Sequence, residues 1–379
     1  MKLKEIITEH FKSNNVITSG VFSFEQKLSA LEKDNKFFEE WLRNGAHAQM
    51  SFLENNIQVR KNPNLVLTNC KTALIFLFPY SYGHKIRKNI KFNSHASSEK
   101  EFNNISNNSL YNNKLISRYV YGKDYHKVLK KQLNKIAENL KNLLSISFNY
   151  RPVIDSVPFF DRAHAREASL GFIGKNTMLI RPGMGSFFFI ATLLTDIPSE
   201  YLIDNSSSKN DPIAALNCGD CRKCLDACPT QALQSDFFLD ANRCLSYLTI
   251  EHREVVPNEY LPYFKNTLYG CDICQEVCPY NYVTTGFPIL KEFSEIHPPF
   301  MAITAKEVAL MDENQYEKWF GGTAATRAKY AGLVRNALYH LYASLSPDLE
   351  SILVKLSNSE NQLILRTVRQ INELILSNK

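Results

Sequence analysis

Cys218-Gly-Asp-Cys221-Arg-Lys-Cys224-Leu-Asp-Ala-Cys228-Pro229 is the stretch around which this 379-residue chain is organised. Eight of the nine cysteines lie between positions 218 and 278, and the others of that set are Cys244 and the run Cys271-x2-Cys274-x3-Cys278-Pro279. Thiolates spaced this way on a tight loop point at one iron–sulfur cube. The cysteine before the proline is carried away from it and, in two-cluster ferredoxins, ligates the other cube. The spacing assigns one [4Fe–4S] cluster to Cys218, Cys221, Cys224 and Cys278, and a second to Cys228, Cys244, Cys271 and Cys274. Cys244 stands in for the first member that the second motif lacks. Structural zinc would instead use paired C-x2-C knuckles, and no C-x3-C-x2-C triplet of the radical-SAM kind occurs. Disulfides need an oxidising compartment, and Met1-Lys-Leu-Lys-Glu reads as the start of an amphipathic helix rather than an export signal.

The length suggests two or three domains. Apolar content of 44% and charged content of 22% are those of an ordinary globular chain. The longest apolar runs, near 73–78 and 187–194, are too short to span a bilayer, so a cytoplasmic location without membrane attachment is expected. A net charge of +6 permits a nucleic-acid partner without requiring one.

Helical spacing of apolar residues runs through 2–12 and 26–44, with a strand over Val16–Thr18 and Val21–Phe24 between them. Thr72–Pro79 is apolar throughout and too short for a helix, so it reads as a buried strand ended by proline. The Asn-, Ser- and Lys-rich segment 85–114 reads as a mobile loop. Leu129, Leu133, Ile136, Leu140 and Leu143 mark one helix face. Strands at Tyr150–Ile154, Met178–Ile180 and Phe187–Leu194 flank a helix over 161–169. The fold class is therefore α+β: an α/β-type N-terminal domain (1–203), a ferredoxin-like two-[4Fe–4S] domain (204–290), and a small helical, HEAT-like C-terminal region (291–379).

Outside the cysteines the residues are individually ambiguous. Asp155 lies just past an apolar strand, where ligands bind in α/β sheets, and partial burial there would raise its pKa toward that of a general acid. Asp-Ser-x-Pro is also good Asx-turn chemistry, and the residues alone favour that reading. Gly171–Asn176 lacks the full phosphate-loop pattern; it is either a plain turn or a close approach of backbone to a flat ligand at Gly174, with Lys175 meeting an amide or phosphate. Arg327, Lys329 and Arg335 follow Gly321-Gly322 at a helix start, either as a phosphate-binding face or as solvated charges.

Taken together these segments resemble the epoxyqueuosine reductase family through almost the whole chain. The matching stretches are Arg60 before Asn-Pro, Ser117-Arg-Tyr-x-x-Gly-Lys-Asp-Tyr-His126, Ile154-Asp-Ser-Val-Pro158, Leu170-Gly-Phe-Ile-Gly-Lys-Asn176 and Gly185-Ser-Phe-Phe-Phe189. Further on they are Cys244-Leu-Ser-Tyr-Leu-Thr-Ile-Glu251, Tyr269-Gly-Cys-Asp-Ile-Cys-Gln275, Gly322-Thr-Ala-x-x-Arg327 and Leu333-Val-Arg-Asn336. Phe172 replaces a usual tryptophan, and Asp161 stands where a glutamate is common.

The resemblance, not the spacing, implies cobalamin, since no D-x-H-x-x-G corrinoid motif occurs. It makes Arg60, Tyr119, Asp155, Gly174, Lys175, Ser246 and Asp272 cofactor neighbours, and Asp155 the general acid. It implies a two-electron deoxygenation of epoxyqueuosine to queuosine at the wobble position of tRNA. The two clusters would carry electrons from an external low-potential donor to the cobalt, in a monomer that grips the anticodon stem-loop through Arg327, Lys329 and Arg335. A reductive-dehalogenase-like reductase and a bare two-cluster electron carrier are the rival functions. The first is usually exported, and the second needs no acid beside a pocket.

Overall fold

The computed structural model describes residues 18–81, 115–202, 216–282 and 287–377. The expected helix over 2–12, the loop 85–114 and the linker from 204 lie wholly or almost wholly outside these. Strands β1 (Thr18–Ser23), β2 (Thr72–Pro79), β3 (Tyr150–Val153) and β6 (Phe188–Thr195) form one sheet, while β4 (Phe172–Ile173) and β5 (Leu179–Ile180) form a separate hairpin. The sheet order is β1-β2-β6-β3 and every neighbouring pair is antiparallel. The α/β-type arrangement expected for the first domain is therefore corrected: it is α+β.

Strand β2 reads as an unbroken apolar run because both its faces are covered and all eight residues are buried. Leu74, Phe76 and Phe78 face the stripe Leu129, Leu133, Ile136 and Leu140 of helix α2 (Tyr125–Leu144), which follows α1 (Glu32–Arg43). Ala73, Ile75 and Leu77 face the other side, where α3 (Asp161–Glu167) presents Ala163 and Ala165. Leu143, expected on the α2 stripe, is exposed at the frayed end of the helix. Pro152 sits on β3, an edge strand, where the missing N–H faces no partner strand. At the far end of the sheet Thr72 and Thr195 are paired in register and their buried hydroxyls meet at 2.7 Å.

The C-terminal half has its own core. It joins Leu115, Ile116 and Val120 to α4 (Leu245–Ile250) and the 256–269 segment. It also takes in helices α5 (Ala305–Leu310), α6 (Glu313–Phe320), α7 (Lys329–Ala343), α8 (Leu349–Leu356) and α9 (Gln362–Ser377). This core runs unbroken across position 290, so the helices after it are packed onto the cysteine-bearing segment rather than hung from it.

Candidate functional site: two thiol cages and a carboxylate

The first thiol cage assembles from one local loop and one distant cysteine, the second from three separate segments. Cys221 N–H donates to Cys218 O at 3.0 Å, and a single helical turn at Lys223–Asp226 brings Cys224 round beside them. Cys278 holds φ −71° and ψ 123°, the extended backbone that the following proline imposes. Its thiol is thereby sent out of its own loop. Cys218, Cys221, Cys224 and Cys278 line a single cavity, and the Cys278 thiol interacts electrostatically with Cys218 and Cys221. In the second group Cys274 interacts with Cys271, Cys244 and Cys228. The two sets of four brought together are those expected from the spacing.

Backbone donors point at the sulfurs. Lys175 N–H meets Cys218 Sγ at 3.4 Å and Ala232 N–H meets Cys228 Sγ at 3.3 Å. Cys244 is the N-cap of α4, so the N–H groups of Ser246 and Tyr247 face its sulfur. Such donors stabilise thiolate and the negative charge of a cluster. These donors and the two sets of four thiols fit [4Fe–4S] cubes.

The second cage is stapled to the turn that carries Tyr119. Asp272, between Cys271 and Cys274, accepts from Ser117 Oγ and from Arg118 N–H at 2.8 Å. Gly270 has φ +71°, and a Cβ there would lie 2.5 Å from Ser117 Cβ, so only glycine allows this approach. Tyr119 Oη donates to Tyr269 Oη at 3.1 Å, and the Tyr119 ring meets the Tyr125 ring edge-on.

Tyr125 leads on to Asp155. Its hydroxyl donates to Asp155 Oδ2, and its ring stacks on Phe189 at 4.4 Å and on His126 at 4.1 Å. His126 Nε2 lies 2.7 Å from Asp155 Oδ1, and its Nδ1 lies 2.9 Å from Asp124 Oδ1. Burial pulls the imidazole down, but the hydrogen bonds and charges of Asp124 and Asp155 outweigh it and push the His126 pKa up to about 9. His126 is therefore cationic at neutral pH and donates from both nitrogens. Asp155 has φ +23°, an unfavourable backbone for a residue with a side chain.

The partial burial expected for Asp155 is absent: its side chain is 57% exposed. The carboxyl that burial affects is Asp161, at the start of α3, pushed up to about 8 by desolvation and then by the Asp155 charge, against the pull of Arg60. Asp161 Oδ1 and Arg60 Nε are buried without a hydrogen-bond partner among the described residues. Gly174 and Lys175 form the turn between β4 and β5, and Lys175 reaches Asp236 at 3.0 Å beside the first cage. His126 and Asp161 were missed as site residues. The spacing of Asp124 and His126 around Tyr125, at the start of a helix, is the available signal for His126.

Of the three cations expected on phosphates, Arg327 is half exposed, paired with Glu251 at 2.6 and 2.8 Å, and close enough to Asp155 to sense its charge. Lys329 is exposed. Arg335 is a correction: it is fully buried, and its donors turn inward to His252 O, Glu254 O, Leu248 O and Asn336 Oδ1. It cannot reach phosphate, because it lies on the core face of α7, whereas Arg327 lies in the turn before that helix.

Residues 217–281 match the 4Fe-4S double cluster binding domain, and residues 60–156 match the family described as epoxyqueuosine reductase QueG, DUF1730. A protein of Cellulophaga algicola named epoxyqueuosine reductase is 31% identical over 336 residues, 89% of this chain and 98% of that one. The structure of epoxyqueuosine reductase from Streptococcus thermophilus superposes with a TM-score of 0.78 at 26% identity, covering 100% of this chain and 91% of the other. A crystal structure of an epoxyqueuosine reductase with an epoxyqueuosine-modified tRNA-Tyr stem loop gives 0.77 at 26% identity, covering 97% and 88%.

Two outcomes follow from the cages and the carboxylate. Cys228→Ser is expected to damage the cluster of Cys244, Cys271 and Cys274 and to spare the cluster of its sequence neighbours Cys218, Cys221 and Cys224. Iron counts and low-temperature electron paramagnetic resonance decide it, and the opposite pattern refutes the pairing. His126 has a folded pKa above its ordinary 6.5, so the stability it contributes is complete below about 6.5 and is lost as pH rises through about 9. Melting temperature should fall over that window in the native protein and fall less in His126→Asn. Parallel profiles would remove the imidazolium from the account.

Proposed function

The chain belongs to the epoxyqueuosine reductase family, and from that premise we propose that it deoxygenates epoxyqueuosine in tRNA, using two [4Fe–4S] clusters, bound cobalamin and Asp155 as proton donor. The reaction takes two electrons and two protons: both C–O bonds of the epoxide break, an alkene forms, and the oxygen leaves as water. The observation that carries this reading is the contact chain from the second thiol cage through Ser117 and Tyr119 to Tyr125 and Asp155.

Arg60 and Asp161 support the cofactor assignment. A guanidinium nitrogen and a carboxyl oxygen buried without partners suit a ligand fringed with amides, which both donate and accept. We read Arg60, Tyr119, Asp155, Gly174, Lys175, Ser246 and Asp272 as the residues that hold or border cobalamin. When bound, cobalamin supplies a strongly reducing metal centre to the epoxide carbon. The thiol cages hold the low-potential relay that feeds it: an external donor delivers electrons to one cube and they pass to the other.

The chain's own groups supply the protons. His126, cationic and held between Asp124 and Asp155, presents Nε2–H to Asp155 Oδ1. A proton moves along that bond as Asp155 gives one to the departing oxygen, so exposed Asp155 acts as the acid while half-buried His126 resupplies its proton. Tyr125 fixes the second carboxylate oxygen. The positive φ of Asp155 holds the carboxylate out from the strand end, toward the substrate side.

A wobble base must leave its stack to reach such a site. Arg327, near Asp155 and half exposed, and exposed Lys329 are read as contacts to anticodon-stem phosphates, and the C-terminal helices as a HEAT-like support for them. We place the protein in the reducing cytoplasm as a monomer; no helix among the described residues is long and apolar enough to cross a membrane.

Asp155→Asn should fold, carry both clusters and bind cobalamin, yet turn over about 10²–10⁴ more slowly on an epoxyqueuosine stem-loop. Near-native turnover would make Asp155 a turn residue and transfer its role to water. Arg327→Ala together with Lys329→Ala should weaken stem-loop binding and flatten its salt dependence by about one unit per lost phosphate contact. An unchanged salt slope would leave this surface without a nucleic-acid role.

A further inference from the structure

Three of the first cluster's four thiols lie on one loop, so local geometry sets their spacing. The second cluster is built differently. Cys228 belongs to the first motif, Cys244 caps α4, and only Cys271 and Cys274 share a loop. Cys244 and Cys271 lie on separate segments, and contacts across those segments must fix their separation.

Two side chains from α7 do so. Asn336 is fully buried, and its Nδ2 donates to Thr249 O at 2.8 Å, near the C-terminal end of α4, and to Leu268 O at 2.9 Å, three residues before Cys271. One amide thus bridges the two segments that deliver the two cysteines. Its Oδ1 accepts from Arg335 Nε at 3.1 Å and Nη2 at 2.9 Å. Arg335 Nη2 also reaches Leu248 O at 2.7 Å, while Nη1 reaches His252 O and Glu254 O. A second bridge joins the same segments, where Gly270 N–H donates to Thr249 Oγ1 at 2.9 Å.

Leu248 O and Thr249 O are orphan carbonyls of the α4 C-terminus, where donors and positive charge are favourable. None of the acceptors on Arg335 is a carboxylate. A fully buried guanidinium on neutral partners is an expensive way to fill space, since apolar side chains do it at lower desolvation cost. What the polar pair adds is a defined separation, because each N–H has one place to go. Both donors of Asn336 and both of its acceptor positions are occupied, which leaves the clamp no slack.

We propose that Arg335 and Asn336 are positioning residues for the second [4Fe–4S] cluster, clamping the Cys244 helix to the Cys271 loop so that four thiols from three separate segments meet at one cube. The inference rests on the ligand assignment above, and the Cys228→Ser variant tests that assignment separately.

The decisive variant is Asn336→Asp. It keeps the acceptor for Arg335 and removes both donors to Thr249 O and Leu268 O. Anaerobic protein is challenged with a ferrous chelator, and both clusters are followed by electron paramagnetic resonance with iron counts and a thermal melt. The second cluster should be lost about 10–100-fold faster than in the native protein, the usual effect of removing support behind a metal ligand. Its reduced-state line shape should change, while the first cluster keeps native kinetics and line shape. Thr249→Val, which removes only the second bridge, should shift the second cluster in the same direction by less. If Asn336→Asp yields no folded protein, Thr249→Val decides alone. Native behaviour of the second cluster would overturn the proposal. So would parallel loss of both clusters, since that marks a general packing role.

Discussion

A proline after each of Cys228 and Cys278 ties the two halves of the metal site together. Proline denies the preceding residue the helical backbone, and Cys278 duly sits extended at the end of its short helix. Each such cysteine turns from the loop that carries it toward the other cage. Neither cage can then close without the other's loop. The cavity lined by Cys218, Cys221, Cys224 and Cys278 is therefore also the seam between residues 218–228 and 271–278. Helix α7 and the sheet domain are both attached to this seam.

From the seam the contacts run in two directions. Toward the sheet, Asp272 holds Ser117 and Arg118, and the turn they begin feeds α2, whose first residues present Tyr125 and His126 to Asp155. Asp155 follows β3, the edge strand, so its carboxylate is free of a neighbouring strand on one side. Toward the C-terminus, Arg253 donates to the carbonyls of Arg327 and Ala328, and Arg327 pairs with Glu251, so the cationic rim is built on the α4 segment that also bears Cys244. The proposed proton source, the thiol cages and the candidate phosphate contacts share one framework.

Much of this was legible in the sequence, for physical reasons. Cysteine spacing is a direct record of cluster geometry, and the unbroken apolar run Thr72–Pro79 could only be a strand covered on both faces. The order and direction of strands were not legible, because an apolar run looks the same in parallel and antiparallel sheets. Nor was the exposure of Asp155, which the apolar strand before it suggested would be partly buried. Its partner His126 is ordinary in sequence and acquires its charge only from two carboxylates that the fold gathers. Arg335 reads as surface charge beside Arg327, yet Arg327 lies in the turn before α7 and faces solvent, while Arg335 lies on the core face of α7. Cobalamin has no spacing signature in this chain and was reached through family resemblance alone.

The most direct test is chemical. The purified protein, with both clusters and added cobalamin, is incubated without oxygen with a low-potential reductant and an anticodon stem-loop carrying epoxyqueuosine. The nucleosides are then digested and weighed by mass spectrometry. The account predicts a nucleoside lighter by one oxygen atom, formed only when reductant and cobalamin are both present. Epoxyqueuosine recovered unchanged, from protein whose clusters are reduced and whose cobalamin is bound, would contradict it.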